Sequence, residues 1–193
     1  MGRYIIIGVT GAGFIFYWLI SSVRKEKIFG VYIGGGIALC LTLLITENLF
    51  GLVRIKTDIL VPKILGLVGN FLVILASLLV ILSFIALKLK GKPETGIEDT
   101  TVFINSGIYR VIRHPLYLGF ALWSIGLTLQ SQSISSTILG TMAFLCFWIG
   151  SAKEEEFNVR KFGNKYKEYI KRVPRWNVLK RDNRLEENLI CGM

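Results

Sequence analysis

Residues 115–152 read PLYLGFALWSIGLTLQSQSISSTILGTMAFLCFWIGSA, 38 consecutive positions without an Asp, Glu, Lys or Arg. As one helix this run would extend about 57 Å, nearly twice a hydrocarbon core of about 30 Å. Its middle carries Ser131-Gln132-Ser133 and Ser135-Ser136, polar groups that hydrocarbon does not solvate. The run therefore predicts a hairpin of two short spans, 115–131 and 134–152. Three further uncharged runs cover residues 4–23, 28–46 and 64–87, with 20, 19 and 24 residues against the roughly 20 that cross a bilayer. Residues 4–23 have too long an apolar core for a signal peptide, and Arg24-Lys25-Glu26-Lys27 follows as a flanking anchor. The expectation is an all-α integral membrane protein of five transmembrane helices in a single membrane domain, spans 4–23, 28–50, 64–87, 115–131 and 134–152.

The composition agrees. Of 193 residues, 52% are hydrophobic and 19% charged, with mean hydropathy +0.55, where a soluble domain carries about 25% charge. The net charge of +10 is concentrated in particular segments. With five spans and the C-terminus inside, the inner segments hold 19 Lys and Arg and the outer ones 4. The positive-inside rule thus places the C-terminus, and with it residues 88–114 and 153–193, in the cytosol. Basic residues beside spans act on topology and anionic lipid, so no nucleic-acid partner is expected. Cys40 and Cys146 lie within apolar runs and Cys191 lies third from the end, which suggests neither a disulfide framework, a metal site nor a prenylation signal. Gly8, Gly11, Gly13 and Gly34-Gly35-Gly36 sit inside apolar runs, where small residues let helices approach, and not in a dinucleotide fingerprint.

Two polar segments can carry chemistry. The first ends in Arg113-His114-Pro115-Leu116-Tyr117-Leu118-Gly119 and holds the only histidine. Pro115 suits the first turn of a helix, which sets Arg113 and His114 at its positive end, with free N–H groups facing the cytosol for an anion. The same residues also suit interfacial anchors. In the second, residues 153–174, Phe162, Tyr166, Tyr169, Ile170 and Val173 follow helical spacing, giving one apolar and one basic face. That pattern predicts an interfacial helix whose starting acids, Glu154-Glu155-Glu156, complement its dipole, with Glu156 pairing to Arg160. A carboxylate pair at a membrane boundary also suits a bound cation.

Together the Arg113–Gly119 stretch, Glu154-Glu155, Phe162-Gly163-Asn164-Lys165-Tyr166-Lys167-Glu168-Tyr169 and Arg172-Val173-Pro174 resemble the isoprenylcysteine carboxyl methyltransferase family and its phospholipid methyltransferase relatives. The resemblance covers residues 103–174. It implies an integral-membrane enzyme that uses S-adenosylmethionine, releases S-adenosylhomocysteine and has no Rossmann domain. The cytosolic loop and C-terminal amphipathic helix would cap the cofactor pocket. By the same resemblance Thr101, Val102, Phe103 and Ile104 line the approach to the cofactor. Tyr109, His114, Pro115, Leu116 and Tyr117 hold it, and Glu154 meets its amino group. Arg113, Glu154, Glu155 and Arg172 are the implied catalytic residues. Eukaryotic members carry an arginine for the substrate carboxylate where this chain has Gly150, so Lys153 or Arg172 is the replacement to consider. The implied acceptor is a lipophilic or lipidated molecule entering from the bilayer, with a prenylcysteine carboxylate favoured over a lipid amine or another amphiphile. The alternatives are an NADPH-dependent sterol-type reductase, whose usual Arg-His-x-Asn-Tyr stretch this chain departs from at Leu116, and a non-catalytic scaffold binding membrane lipids. The small size points to a prokaryotic inner membrane, or to the endoplasmic reticulum in a eukaryote.

Overall fold

The computed structural model describes residues 28–50, 60–91 and 102–176, apart from the side chains of 46–50. Among them the regular structure is helical: α1 (Ile28–Phe50), α2 (Leu60–Lys90), a 3-10 turn (Gly107–Arg110), α3 (Pro115–Ser131), α4 (Ile134–Phe162) and α5 (Asn164–Arg172). The hairpin expected from the long uncharged run is present, with its arms meeting at Ser131-Gln132-Ser133. Gln132 takes the left-handed conformation (φ 52°) that reverses the chain. Ser133 then opens α4 by a reciprocal cap. Its Oγ accepts the Ser136 N–H at 3.1 Å, and the Ser136 Oγ accepts the Ser133 N–H at 3.1 Å. The serines that looked like an interruption thus satisfy the helix end.

The expected spans are seen in part. Among the described helices three are long and apolar enough to cross a membrane: residues Ile28–Ile45 of α1, α2 and α4. The expected first span, 4–23, lies outside the described residues. The expected fourth, α3, has only 17 residues, about 26 Å of rise, because Pro115 starts it and the hairpin turn stops it. α4 also continues ten residues beyond the expected end at Ala152, through the acids to Phe162. Glu154, Glu155 and Glu156 therefore lie within a helix, not at the start of a new one, and the dipole argument for them fails. Glu156 pairs with Lys153 at 3.0 Å rather than with Arg160.

The chain forms two compact units, Met1–Ile81 with Leu116–Phe157, and Leu82–Pro115 with Asn158–Met193. The first is built on close helix approach. A Cβ on Gly126 would lie 2.9 Å from the Gly69 carbonyl oxygen and 3.1 Å from the Val73 nitrogen, and one on Gly119 would lie 3.2 Å from the Ala76 oxygen. Gly69, Val73, Ala76 and Val80 thus form a seam of α2 that receives α3 almost backbone to backbone. Without water to drive apolar association, such packing and cross-helix polar contacts hold membrane helices together. The polar contacts lie near the hairpin end: Gln130 Nε2 donates to Asn70 Oδ1 at 2.9 Å, and Gln132 Nε2 donates to the Pro62 carbonyl at 2.7 Å. On α4, Phe147 is fully buried, stacking on Phe120 with ring centroids 5.4 Å apart.

In the second unit α5 buries Tyr166, Tyr169 and Val173 against Phe103, Val159, Phe162 and Ile170. The stripe read from the sequence is the apolar face, as expected, but it packs on protein side chains rather than on lipid. α4 and α5 are separated at Gly163 by a positive φ of 62°, which glycine adopts without the steric cost of a Cβ.

Gly126→Leu should destabilise the protein by about 1–3 kcal/mol, because the added side chain meets backbone that cannot step aside. Ile125→Leu at the exposed neighbouring position should leave the thermal unfolding midpoint in detergent unchanged.

Candidate active site

The chemistry-bearing residues divide between the two units. In the second, the turn before α3 is fixed by main-chain bonds. The Arg113 N–H donates to the Pro174 carbonyl at 3.0 Å, and the His114 N–H donates to the Arg175 carbonyl at 3.4 Å. Pro115 supplies no N–H of its own and opens α3 as the sequence predicts. The Arg113 and His114 N–H groups are thus engaged by main chain, and His114 is buried at 3% exposure instead of facing solvent. Burial, with the Arg113 and Arg175 charges beside it, pushes the His114 pKa down to about 3, so its imidazole is neutral at physiological pH.

Two other expected cofactor residues are held from α5. The Tyr169 hydroxyl donates to the Tyr109 carbonyl, anchoring the 3-10 turn that carries buried Tyr109. The Tyr169 ring also meets Phe103 edge-on at 5.1 Å, while Phe162 and Tyr166 each lie 5.7 Å from Phe103. Burial and the neighbouring Tyr166 push the Tyr169 hydroxyl above the usual tyrosine range, with Arg113 acting in the opposite direction, so it stays a donor. Ile104 is half-buried and Val102 exposed; Thr101 lies outside the described residues. Arg172 is not gathered into this cluster: its side chain is 78% exposed and pairs with Glu168 at 3.9 Å.

In the first unit Tyr117 is buried against α4 at Gly150. A Cβ on Gly150 would lie 2.9 Å from the Tyr117 ring and 3.0 Å from Tyr32 Cβ, so this crossing has no room for the arginine that eukaryotic members carry. One turn further along α4, Glu154 is half-buried, Glu155 is buried at 8% exposure, and Glu156 is exposed. Leu116 is half-buried and Pro115 fully buried. Among the described residues no three or more His, Cys, Asp or Glu side chains group as metal ligands.

Tyr169 and the carbonyls of Pro174 and Arg175 were not among the site residues expected from the sequence. The helical stripe marked Tyr169 as apolar-facing, but only its hydroxyl distinguishes it from a phenylalanine, and main-chain acceptors leave no signature in side-chain identity.

The phospholipid methyltransferase family matches residues 64–165, more than half of the chain. The chain belongs to this family. Similar curated proteins include a probable protein-S-isoprenylcysteine O-methyltransferase of Oryza sativa subsp. indica, 36% identical over 77 residues, which are 39% of this chain and 40% of that protein. The protein-S-isoprenylcysteine O-methyltransferase of Schizosaccharomyces pombe is 34% identical over 38% of this chain and 31% of its own length. That of Homo sapiens is 38% identical over 40% of this chain and 28% of its own. The chain thus spans less than half the length of these relatives. No solved structure matches it.

The unfolded chain binds a proton on His114 below about pH 6.5, whereas the folded state resists until about pH 3. Stability should therefore fall as the pH is lowered through that window, by at most about 1.4 kcal/mol per pH unit, with no contribution to the slope above it. His114→Gln should remove this part of the slope in pH-dependent unfolding. Tyr169→Phe, which keeps the ring and removes the donor, should cost about 1–3 kcal/mol by leaving the Tyr109 carbonyl buried without it. Chemical denaturation is the check.

Proposed function

We propose that this family member is an S-adenosylmethionine-dependent methyltransferase acting on a lipophilic acceptor at the cytosolic membrane interface, the favoured acceptor being the carboxylate of an isoprenylcysteine-like group. The observation that carries the reading is the family match over residues 64–165, which includes Arg113-His114-Pro115 and Glu154-Glu155. The three relatives named above are all called isoprenylcysteine O-methyltransferases, which supports a carboxylate acceptor. The description of the family itself supports a phospholipid amine as the second reading.

The donor set suits the cofactor. S-adenosylmethionine supplies an electrophilic methyl group on a sulfonium, together with an ammonium and a carboxylate. By chemical type alone, of the residues that the resemblance assigns, Glu154 suits an ammonium, Arg113 a carboxylate, and the Tyr109 and Tyr117 rings a cationic centre. Glu155, buried next to Glu154, adds negative potential on the same helix. His114, held neutral by burial, places no positive charge against a sulfonium. Pro115 and Leu116 shape the turn into α3, and Thr101, Val102, Phe103 and Ile104 line the approach. An acceptor carboxylate is already ionised near pH 7, so no general base is required. The protein's work is then to position the acceptor and exclude water, with Lys153 or Arg172 as the cation for the acceptor carboxylate.

The membrane arrangement belongs to the same reading. Five spans, including residues 4–23 and the short α3, leave residues 88–114 and 153–193 on the cytosolic side of an integral membrane protein, and the acceptor enters sideways from lipid. A prokaryotic inner membrane is the proposed location.

Calorimetric titration of the detergent-purified protein with S-adenosylhomocysteine should give saturable micromolar binding, equivalent to about 8 kcal/mol. Glu154→Ala should weaken it at least about tenfold, a loss of about 1.4 kcal/mol, and NADPH should give no heat. A folded sample that binds NADPH and not S-adenosylhomocysteine overturns the proposal. Methylation of farnesylcysteine rather than phosphatidylethanolamine then separates the two acceptors.

A further inference from the structure

We propose that the outward face of α5 is an electrostatic dock for the anionic phospholipid headgroups of the bilayer that α4 is long and apolar enough to cross. The helix has two faces with different fates. Tyr166, Tyr169 and Val173 are consumed inside the second unit, so this helix has no apolar stripe left to insert into lipid. The opposite arc carries Lys165, Lys167, Glu168, Lys171 and Arg172, all exposed. Its one acid, Glu168, is matched by Arg172. Lys165, Lys167 and Lys171 make no ion pair among the described residues, which leaves that arc with uncompensated positive charge. Arg160 and Lys161 are also exposed in the last turn of α4.

Chain continuity keeps this charge close, along the chain, to the end of the apolar run. Arg160 lies eight residues beyond Ala152, the end of the uncharged run, within one uninterrupted helix. That is about 12 Å along the axis, beyond a headgroup layer of roughly 5–8 Å by less than one Debye length of about 8 Å. α5 begins two residues after α4 ends. Long lysine side chains this near a span in sequence are suited to meet anionic headgroups without inserting, as juxtamembrane basic clusters do. The occupant is identified by charge complementarity and by the membrane the chain itself supplies. The inference rests on the membrane-spanning reading of α4 and not on the methyltransferase reading.

The test compares the full chain with K165Q/K167Q/K171Q, in nanodiscs of phosphatidylcholine alone and with about 30% phosphatidylglycerol. Anionic lipid should raise the wild-type unfolding midpoint by several degrees. That rise should fall by at least about half in the variant and disappear in roughly 0.5 M salt. The two proteins should share one midpoint in neutral discs and one affinity for S-adenosylhomocysteine, so failure here is distinct from failure of the proposed function. Acylation of the three lysines by a neutral amine reagent should also slow severalfold in anionic discs for the wild type, a readout that needs no variant. An equal lipid-induced rise in both proteins, or lysine reactivity indifferent to lipid charge, overturns the proposal. Stabilisation by soluble polyglutamate in neutral discs, without stabilisation by phosphatidylglycerol, also overturns it and gives the face to an acidic protein.

Discussion

The pairing of the Arg113 and His114 N–H groups with the carbonyls of Pro174 and Arg175 holds the second unit together. It joins main chain about 60 residues apart in sequence, at a point where neither segment is in a helix that could satisfy those groups internally. A buried N–H left without an acceptor is costly, so the loop before α3 and the segment after α5 take up one arrangement together. The bond from Tyr169 to the Tyr109 carbonyl and the ring cluster on Phe103 extend that arrangement along α5. Four of the residues that the family pattern assigns to cofactor or catalysis, Phe103, Tyr109, Arg113 and His114, are held this way.

The first unit depends on a different constraint, the absence of side chains. Gly69, Gly119 and Gly126 let helix backbones meet at distances where a Cβ would collide. Close approach strengthens dispersion contacts and brings polar groups such as Gln130 and Asn70 within hydrogen-bonding reach. It also restricts chemistry. At Gly150, Tyr117 and Tyr32 occupy the space that an arginine would need, so this chain cannot present a guanidinium from that position without opening the crossing. The departure from the eukaryotic pattern is thus built into the packing.

Much of the architecture was legible because it follows from periodicity and solvent. The hairpin at Ser131–Ser133, the start of α3 at Pro115 and the apolar stripe of α5 each have local signatures: polar residues in an apolar run, a ring that fixes φ, and helical spacing. What misled was context. Glu154–Glu156 read as a helix start because charge ended the apolar run, yet apolarity and helicity are separate properties and α4 continues through the acids. For Phe162–Val173 the amphipathic pattern gives the existence of an apolar face but not the surface that covers it. Phe103, some 60 residues earlier in the chain, is what covers it here.

The sequence by itself determined that the chain is helical, rich in segments suited to a bilayer, basic in its polar segments and a carrier of the family's paired residues. Each of these is written in local composition and spacing, which solvent and backbone geometry translate directly. Only the tertiary structure decided that His114 is buried and neutral, that Tyr169 holds the Tyr109 turn, that Arg172 stays exposed, and that Gly150 leaves no room for an arginine. Those outcomes depend on which groups from distant parts of the chain displace water around a given side chain, and no local pattern encodes that.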